Sequence, residues 1–183
     1  MLGKIMDFIT AIQTAIERAL DFSGRSRRSE FWWFMLFSMF AVIAAITLDQ
    51  ALNTPQLGVM PETGLPETYQ QSLFWTFRIS NYPLETIVGL LLFIPLFSVM
   101  VRRLHDVGRS GYWALGYYGL GFISGPTVAE IMTALEAENM EIFETQSVMI
   151  IGMVNFAAAI LYLMFMTRNS DKGPNRYGPS PKG

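Results

Sequence analysis

The sequence predicts an all-α, polytopic membrane protein. Four transmembrane helices preceded by an N-terminal amphipathic helix are expected, forming a single membrane domain over residues 1–183. Three observations carry this. The chain is 51% hydrophobic and 15% charged, where a soluble domain averages about 25% charged. Apolar runs of bilayer-spanning length recur along it. Its cations are segregated, as counted below.

Residues 2–21 form the amphipathic element. Ile5, Phe8, Ile9, Ile12, Ile16 and Leu20 recur at spacings of three and four, with Lys4, Asp7, Gln13, Glu17 and Arg18 elsewhere on the wheel. The stretch is too polar to span. It reads as a helix lying in the membrane interface or packed on the bundle, the alternative being a soluble helix that docks on a partner. Asp7, Glu17 and Asp21 interrupt any signal-peptide core.

Next comes FSGRSRRSEFWW, residues 22–33. Gly24 ends the first helix. Arg25, Arg27 and Arg28 precede an apolar run, either as a positive-inside anchor or as a site for anionic headgroups. The first span covers about 31–52. Phe31 to Leu48 is free of charge, and those residues rise about 27 Å, close to the hydrocarbon thickness. A polar loop, 53–83, follows, with an aromatic patch, SLFWTFRI, at 72–79.

The second span covers about 84–101. Pro95 within it predicts a kink, with Ser98 or a neighbouring helix serving the freed carbonyl. A charged loop, 102–111, leads to a third span over about 112–135. Gly116, Gly119, Gly121 and Gly125 give that helix a small-residue face, and Gly121 with Gly125 makes a GxxxG spacing for close helix approach. An acidic stretch, 136–146, precedes the fourth span, about 147–166. Residues 167–183 read as an irregular cytoplasmic tail, rich in Gly and Pro.

Four spans put both termini and the 102–111 loop on one side. That side holds twelve of the thirteen cations against six acids, a net of +6. The other side holds Arg78 against nine acids, a net of −8. Cation bias orients membrane chains, so both termini are expected in the cytoplasm.

Three stretches then share the cytoplasmic face: FSGRSRRSEFWW, VRRLHDVGRSGYW and GPNRYG. Together they resemble the YhaH/YhaI-like family of small bacterial inner-membrane proteins, domain of unknown function 805. The resemblance rests on Phe22, Gly24, Arg25, Arg28, Glu30, Phe31 and Trp32, on Arg102 to Asp106 with Ser110, Gly111, Tyr112 and Trp113, and on Gly173 to Gly178. It implies a multi-pass protein of the bacterial cytoplasmic (inner) membrane and no particular activity. Against the shorter members expected of that family, the 53–83 and 136–146 loops read as insertions.

The chemistry on offer is thin. Cysteine is absent and His105 is the single histidine, so thiolate chemistry is excluded and a metal would lack ligands. His105 beside Asp106 lacks a further group to make a catalytic constellation, and the two read as caps for the end of the second helix. Ser110 and Gly111 turn the chain toward Trp113. No enzyme, cofactor, metal or nucleic-acid partner is expected. The expected role is a non-catalytic scaffold or binding protein. Arg25, Arg28, Arg102, Arg103, Arg109 and Arg176 would contact anionic lipid headgroups or a partner, either another membrane protein or a second copy. Gly24, Glu30, His105, Asp106, Ser110, Gly111 and Trp113 would shape that face, with Glu30 or Asp106 pairing an arginine of the other stretch. A small transporter or channel component is the alternative.

Overall fold

The computed structural model describes residues 7–52, 83–136 and 146–181, with side chains described outside 126–136 and 146–147. Lys4, most of the 53–83 loop with SLFWTFRI and Arg78, residues 137–145 and Lys182 lie outside the described residues. Among the described residues, five helices follow in order: α1 (Phe8–Glu17), α2 (Arg28–Leu52), α3 (Pro83–Asp106), α4 (Tyr112–Glu136) and α5 (Gln146–Thr167). Among the described residues, α2, α3 and the Val148–Thr167 part of α5 are long and apolar enough to cross a membrane.

Within the expected 2–21 element, α1 covers Phe8–Glu17 and packs on α2 and α3. Asp7 caps it, its carboxylate accepting from Thr10 N–H at 2.7 Å. It stops at Glu17 because Asp21 organises the following turn, accepting from Ser23 N–H at 2.9 Å and from Arg18 at 2.8 Å. The buried face consists of Ala11 and Ala15, whereas Ile9, Ile16 and Leu20 are exposed. Small side chains let α1 lie close on α2 and Ile12 packs against the core, while Ile9 and Ile16 point away from the bundle.

α2 and α3 form the central antiparallel pair, tied at both ends. Ser26 N–H donates to Arg102 O at 3.1 Å where α2 begins and α3 ends. At the opposite end, buried Asp49 accepts from the N–H groups of Leu84 and Glu85 at 2.9 and 3.1 Å. Those are among the N–H groups that a helix start leaves open, so Asp49 of one helix caps the next. The core between helices centres on Phe31, Phe34, Val99, Met100, Leu104, Ala114 and Met166.

Two expectations for α3 are corrected. The helix does not end near residue 101 but runs to Asp106, so Arg102, Arg103, His105 and Asp106 are helical and the loop begins at Val107. Ser98 does not serve the carbonyl freed by Pro95. Its hydroxyl faces Arg18 O and Asp21 O at 3.0 and 2.7 Å, fastening the segment after α1 onto α3.

The α3–α4 connection is tight. Arg109 N–H donates to Leu104 O at 2.9 Å while Gly108 takes φ 72°, the left-handed conformation that glycine tolerates best at a helix end. A Cβ on Gly111 would stand 2.8 Å from Val101 Cγ1, so glycine is needed there for close approach. α4 runs back along α5, joined near mid-helix by Ser124 Oγ donating to Asn155 Oδ1 at 3.0 Å. Among the described residues, a Cβ at Gly116, Gly119 or Gly121 of α4 would meet nothing within 4 Å, so these three positions are not close-packed there.

Candidate functional site

The start of α2, the ends of α3 and α5, and the segment after α5 meet at one end of the bundle. They meet through a knot of buried charge. Asp106 is at its centre: Arg25 Nε donates to one carboxylate oxygen at 3.0 Å, and Arg103 Nη1 donates to the other at 2.5 Å. All three side chains are essentially inaccessible. A second pair stands beside it, Arg102 Nη2 donating to Glu30 Oε1 at 3.1 Å, also out of solvent. Each carboxylate thus reaches an arginine of the other sequence stretch, as the sequence predicts.

The guanidinium groups of Arg25 and Arg103 have more donors than Asp106 can accept, and backbone carbonyls take the surplus. Arg25 donates to Gly173 O and Asp171 O, both at 2.7 Å. Arg103 donates to Met166 O at 3.2 Å and also to Arg168 O. Arg28 reaches Thr167 O at 3.1 Å, and Arg27 reaches Pro181 O. The C-terminal segment, expected as an irregular tail, lacks helix but is held in place carbonyl by carbonyl. Arg102 is served less well: among the described residues its Nε and Nη1 have no hydrogen-bond partner.

His105 belongs to the same closure. Its Nδ1 lies 3.1 Å from Gly24 O. A carbonyl only accepts, so this nitrogen carries the proton. Gly24 adopts φ 75°, which presents that carbonyl. The imidazole stacks on Tyr177, and Asn175 Nδ2 donates to His105 O at 2.9 Å. His105 and Asp106 therefore do not act as side-chain caps of α3. The ring and the carboxylate bind other segments, while turn and tail N–H groups meet the last carbonyls, as Gly108 N–H does at His105 O.

The expected headgroup site divides accordingly. Arg25, Arg102 and Arg103 are buried and engaged inside, so they do not offer a phosphate an open surface. Desolvation explains why each stands beside a carboxylate, since an unpaired buried charge is costly. Arg28 is half-buried. Arg109 and Arg176 are exposed, the first over the Phe165 ring at 5.3 Å and the second over Tyr177 at 4.7 Å. Ser110 O accepts from Trp113 N–H at 3.2 Å and starts α4, and Trp113 packs edge-on against Phe165. Outside the helices, the Ser23 hydroxyl and then Arg18 hold the Asp21 carboxyl well below the usual carboxylate range.

Sequence reasoning missed Asp49, Asp171, Asn175 and Tyr177 as structural residues of this kind. Asn175 and Tyr177 lie within GPNRYG, where Arg176 drew attention because of its charge. A side-chain amide next to a turn proline was the available signal for Asn175, whose Oδ1 accepts from Tyr177 N–H at 2.9 Å.

A family model, "Protein of unknown function (DUF805)", matches residues 19–179. The chain belongs to the DUF805 family. Inner membrane protein YhaH of Escherichia coli (strain K12) is similar, 25% identical over 167 residues that cover 91% of this chain and 92% of the relative. Inner membrane protein YhaI of the same organism is 26% identical over 171 residues, 92% of each. No solved structure matches. Among the quoted motifs, the residues that carry the family resemblance and the residues of the buried knot largely coincide.

Proposed function

We propose that this family member is a non-catalytic, four-pass protein of the cytoplasmic membrane, with both termini inside. Its cytoplasmic end is a rigid cap that presents a rim of cations to anionic lipid headgroups. One observation carries the reading. Cations at this end divide by exposure: Arg25, Arg102 and Arg103 are consumed within the cap, Arg18, Arg27 and Arg28 are half-buried, and Arg109, Arg168, Lys172 and Arg176 are exposed around it. Each exposed cation near an anionic leaflet contributes about 1 kcal/mol. The charge distribution supports α4 as the remaining span, since four alternating helices place these cations on one side.

The alternative, a small transporter or channel component, has less support. Such proteins place ionisable groups near mid-membrane. Among the described residues, charge sits toward helix ends, and Ser124 and Asn155 near mid-helix bond to each other.

The test has two arms. Reporter fusions near residues 60 and 140 should report outside, and a fusion near the C-terminus should report inside. In bilayers of equal phosphatidylglycerol and phosphatidylcholine, the wild-type protein should enrich phosphatidylglycerol around itself. The triple variant Arg168→Gln, Lys172→Gln, Arg176→Gln should not. Equal enrichment by both proteins would overturn the rim, and a cytoplasmic signal from either loop would overturn the topology.

A further inference from the structure

An apolar groove runs between α4 and α5, starting at the cap. It encloses about 220 Å³. Leu104 of α3 closes its back, and Tyr117 and Tyr162, stacked at 4.4 Å, form one wall. Its width comes from two small residues, Gly116 and Ala158. At Gly116 a Cβ would have open space on every side. Trp113 and Phe165, packed edge-on, close the end nearest the cap, and the far end lies at Leu120, one turn short of the Ser124–Asn155 hydrogen bond. From Trp113 to Leu120 the helix rises about 10 Å, which is roughly two thirds of one leaflet's hydrocarbon.

The groove opens sideways, since Trp113 and Leu161 on its rim are 48% and 43% exposed. In a bilayer that opening faces hydrocarbon, so its natural occupant arrives from within the leaflet. Polarity is confined to the end nearest the cap. There the Arg109 guanidinium stands 5.3 Å above the Phe165 ring that lines the groove, and it is exposed. Its backbone is held by the Leu104 O bond at 2.9 Å, so the cation has a fixed base. An apolar slot reaching about two thirds of a leaflet's depth, with one arginine at headgroup level, matches a single ligand chemistry: a hydrocarbon chain ending in a phosphate.

We propose that this groove holds one acyl chain of an anionic phospholipid, with Arg109 on its phosphate. The assignment rests on the reading that the cap faces an anionic leaflet, and it adds a discrete, stoichiometric site to the diffuse rim. Two tyrosine rings and Leu104 give the chain a preformed wall, and the missing side chain at Gly116 is the space it occupies.

Native mass spectrometry of the full chain, delipidated and then titrated with dioleoyl phosphatidylglycerol or dioleoyl phosphatidylcholine, tests this. Wild type should retain one phosphatidylglycerol with at least a ten-fold preference. Gly116→Leu should abolish retention by filling the slot, and Arg109→Ala should remove the preference. Ala158→Leu repeats the filling from the other helix, should Gly116→Leu fail to fold. Retention unchanged in a folded slot-filling variant would overturn the site, as would equal binding of the two lipids by wild type. So would a dimer that Gly116→Leu dissociates, because a second copy would then be the occupant. The rim is scored separately: enrichment lost in the Arg168, Lys172, Arg176 variant with no stoichiometric lipid in wild type leaves the rim standing and the groove refuted. A stoichiometric lipid in wild type, with enrichment unchanged in that variant, leaves the groove standing and the rim refuted.

Discussion

The imidazole of His105 lies flat against the ring of Tyr177, with centroids 3.8 Å apart and planes 6° from parallel. One ring ends a long apolar helix and the other sits in a segment without helix, yet this contact and the Asn175 bond dock the tail on α3. Tyr177→Ala should therefore loosen the cap. A loss of about 0.5–1.5 kcal/mol is expected from the ring pair alone, and protease should reach residues 168–181 sooner. Tyr177→Phe keeps the ring and should match wild type on both measures. Equal behaviour of the alanine and phenylalanine variants would show that the stack is incidental.

Asp106 neutralises two buried arginines, so its removal is the harshest single change at the cap. Asp106→Ala should cost about 3–5 kcal/mol of stability, because Arg25 and Arg103 would keep buried charge without a partner. The Glu30–Arg102 pair makes a cleaner cycle. Glu30→Met and Arg102→Met should each destabilise, and the double variant should recover most of the loss, since Arg102 already leaves two donors without partners. Additive losses in thermal unfolding would mean that the two side chains act independently.

Two glycines of similar sequence context should behave in opposite ways. Gly111→Ala drives a methyl to 2.8 Å from Val101 and should cost about 1–3 kcal/mol. Val101→Ala should restore part of that by clearing the space. Gly121→Leu should leave the melting temperature of the isolated chain unchanged, because nothing stands within 4 Å of its Cβ. A large drop for Gly121→Leu would place a close neighbour on that face.

Helices were legible because their pattern is local, and charge pairing because few acids lie beside the arginine stretches. A run such as Phe31 to Leu48 has no other reading, and Glu30 and Asp106 were the acids within reach of the arginine pairs. The burial of the arginines was not legible. Hydropathy treats Arg102 and Arg103 as the point where a helix leaves its apolar surroundings, whereas in the structure the helix continues for another turn with those charges dry. What permits this is distant in sequence: Glu30 is 72 residues from Arg102, and the carbonyls serving Arg25 are about 150 residues away. Backbone carbonyls leave no compositional trace, so a tail of Gly and Pro gives no sign that it supplies acceptors. In α1 the isoleucines divide: Ile12 packs on the core beside Ala11 and Ala15, while Ile9 and Ile16 stay exposed, as an apolar face in lipid can.

The bonds from Arg25 to the tail have a consequence in time. Arg25 Nη1 and Gly173 O are 148 residues apart. At roughly 5–20 residues per second, Gly173 leaves the ribosome about 7–30 s after Arg25. Until Asp106 emerges part-way through, Arg25 must take its acceptors from water or headgroups, and its remaining donors wait for the tail, so the helices between are made before the cap can close. Closure of the cap thus registers that the whole bundle has been synthesised, as a clasp fastens only after everything it encloses is in place.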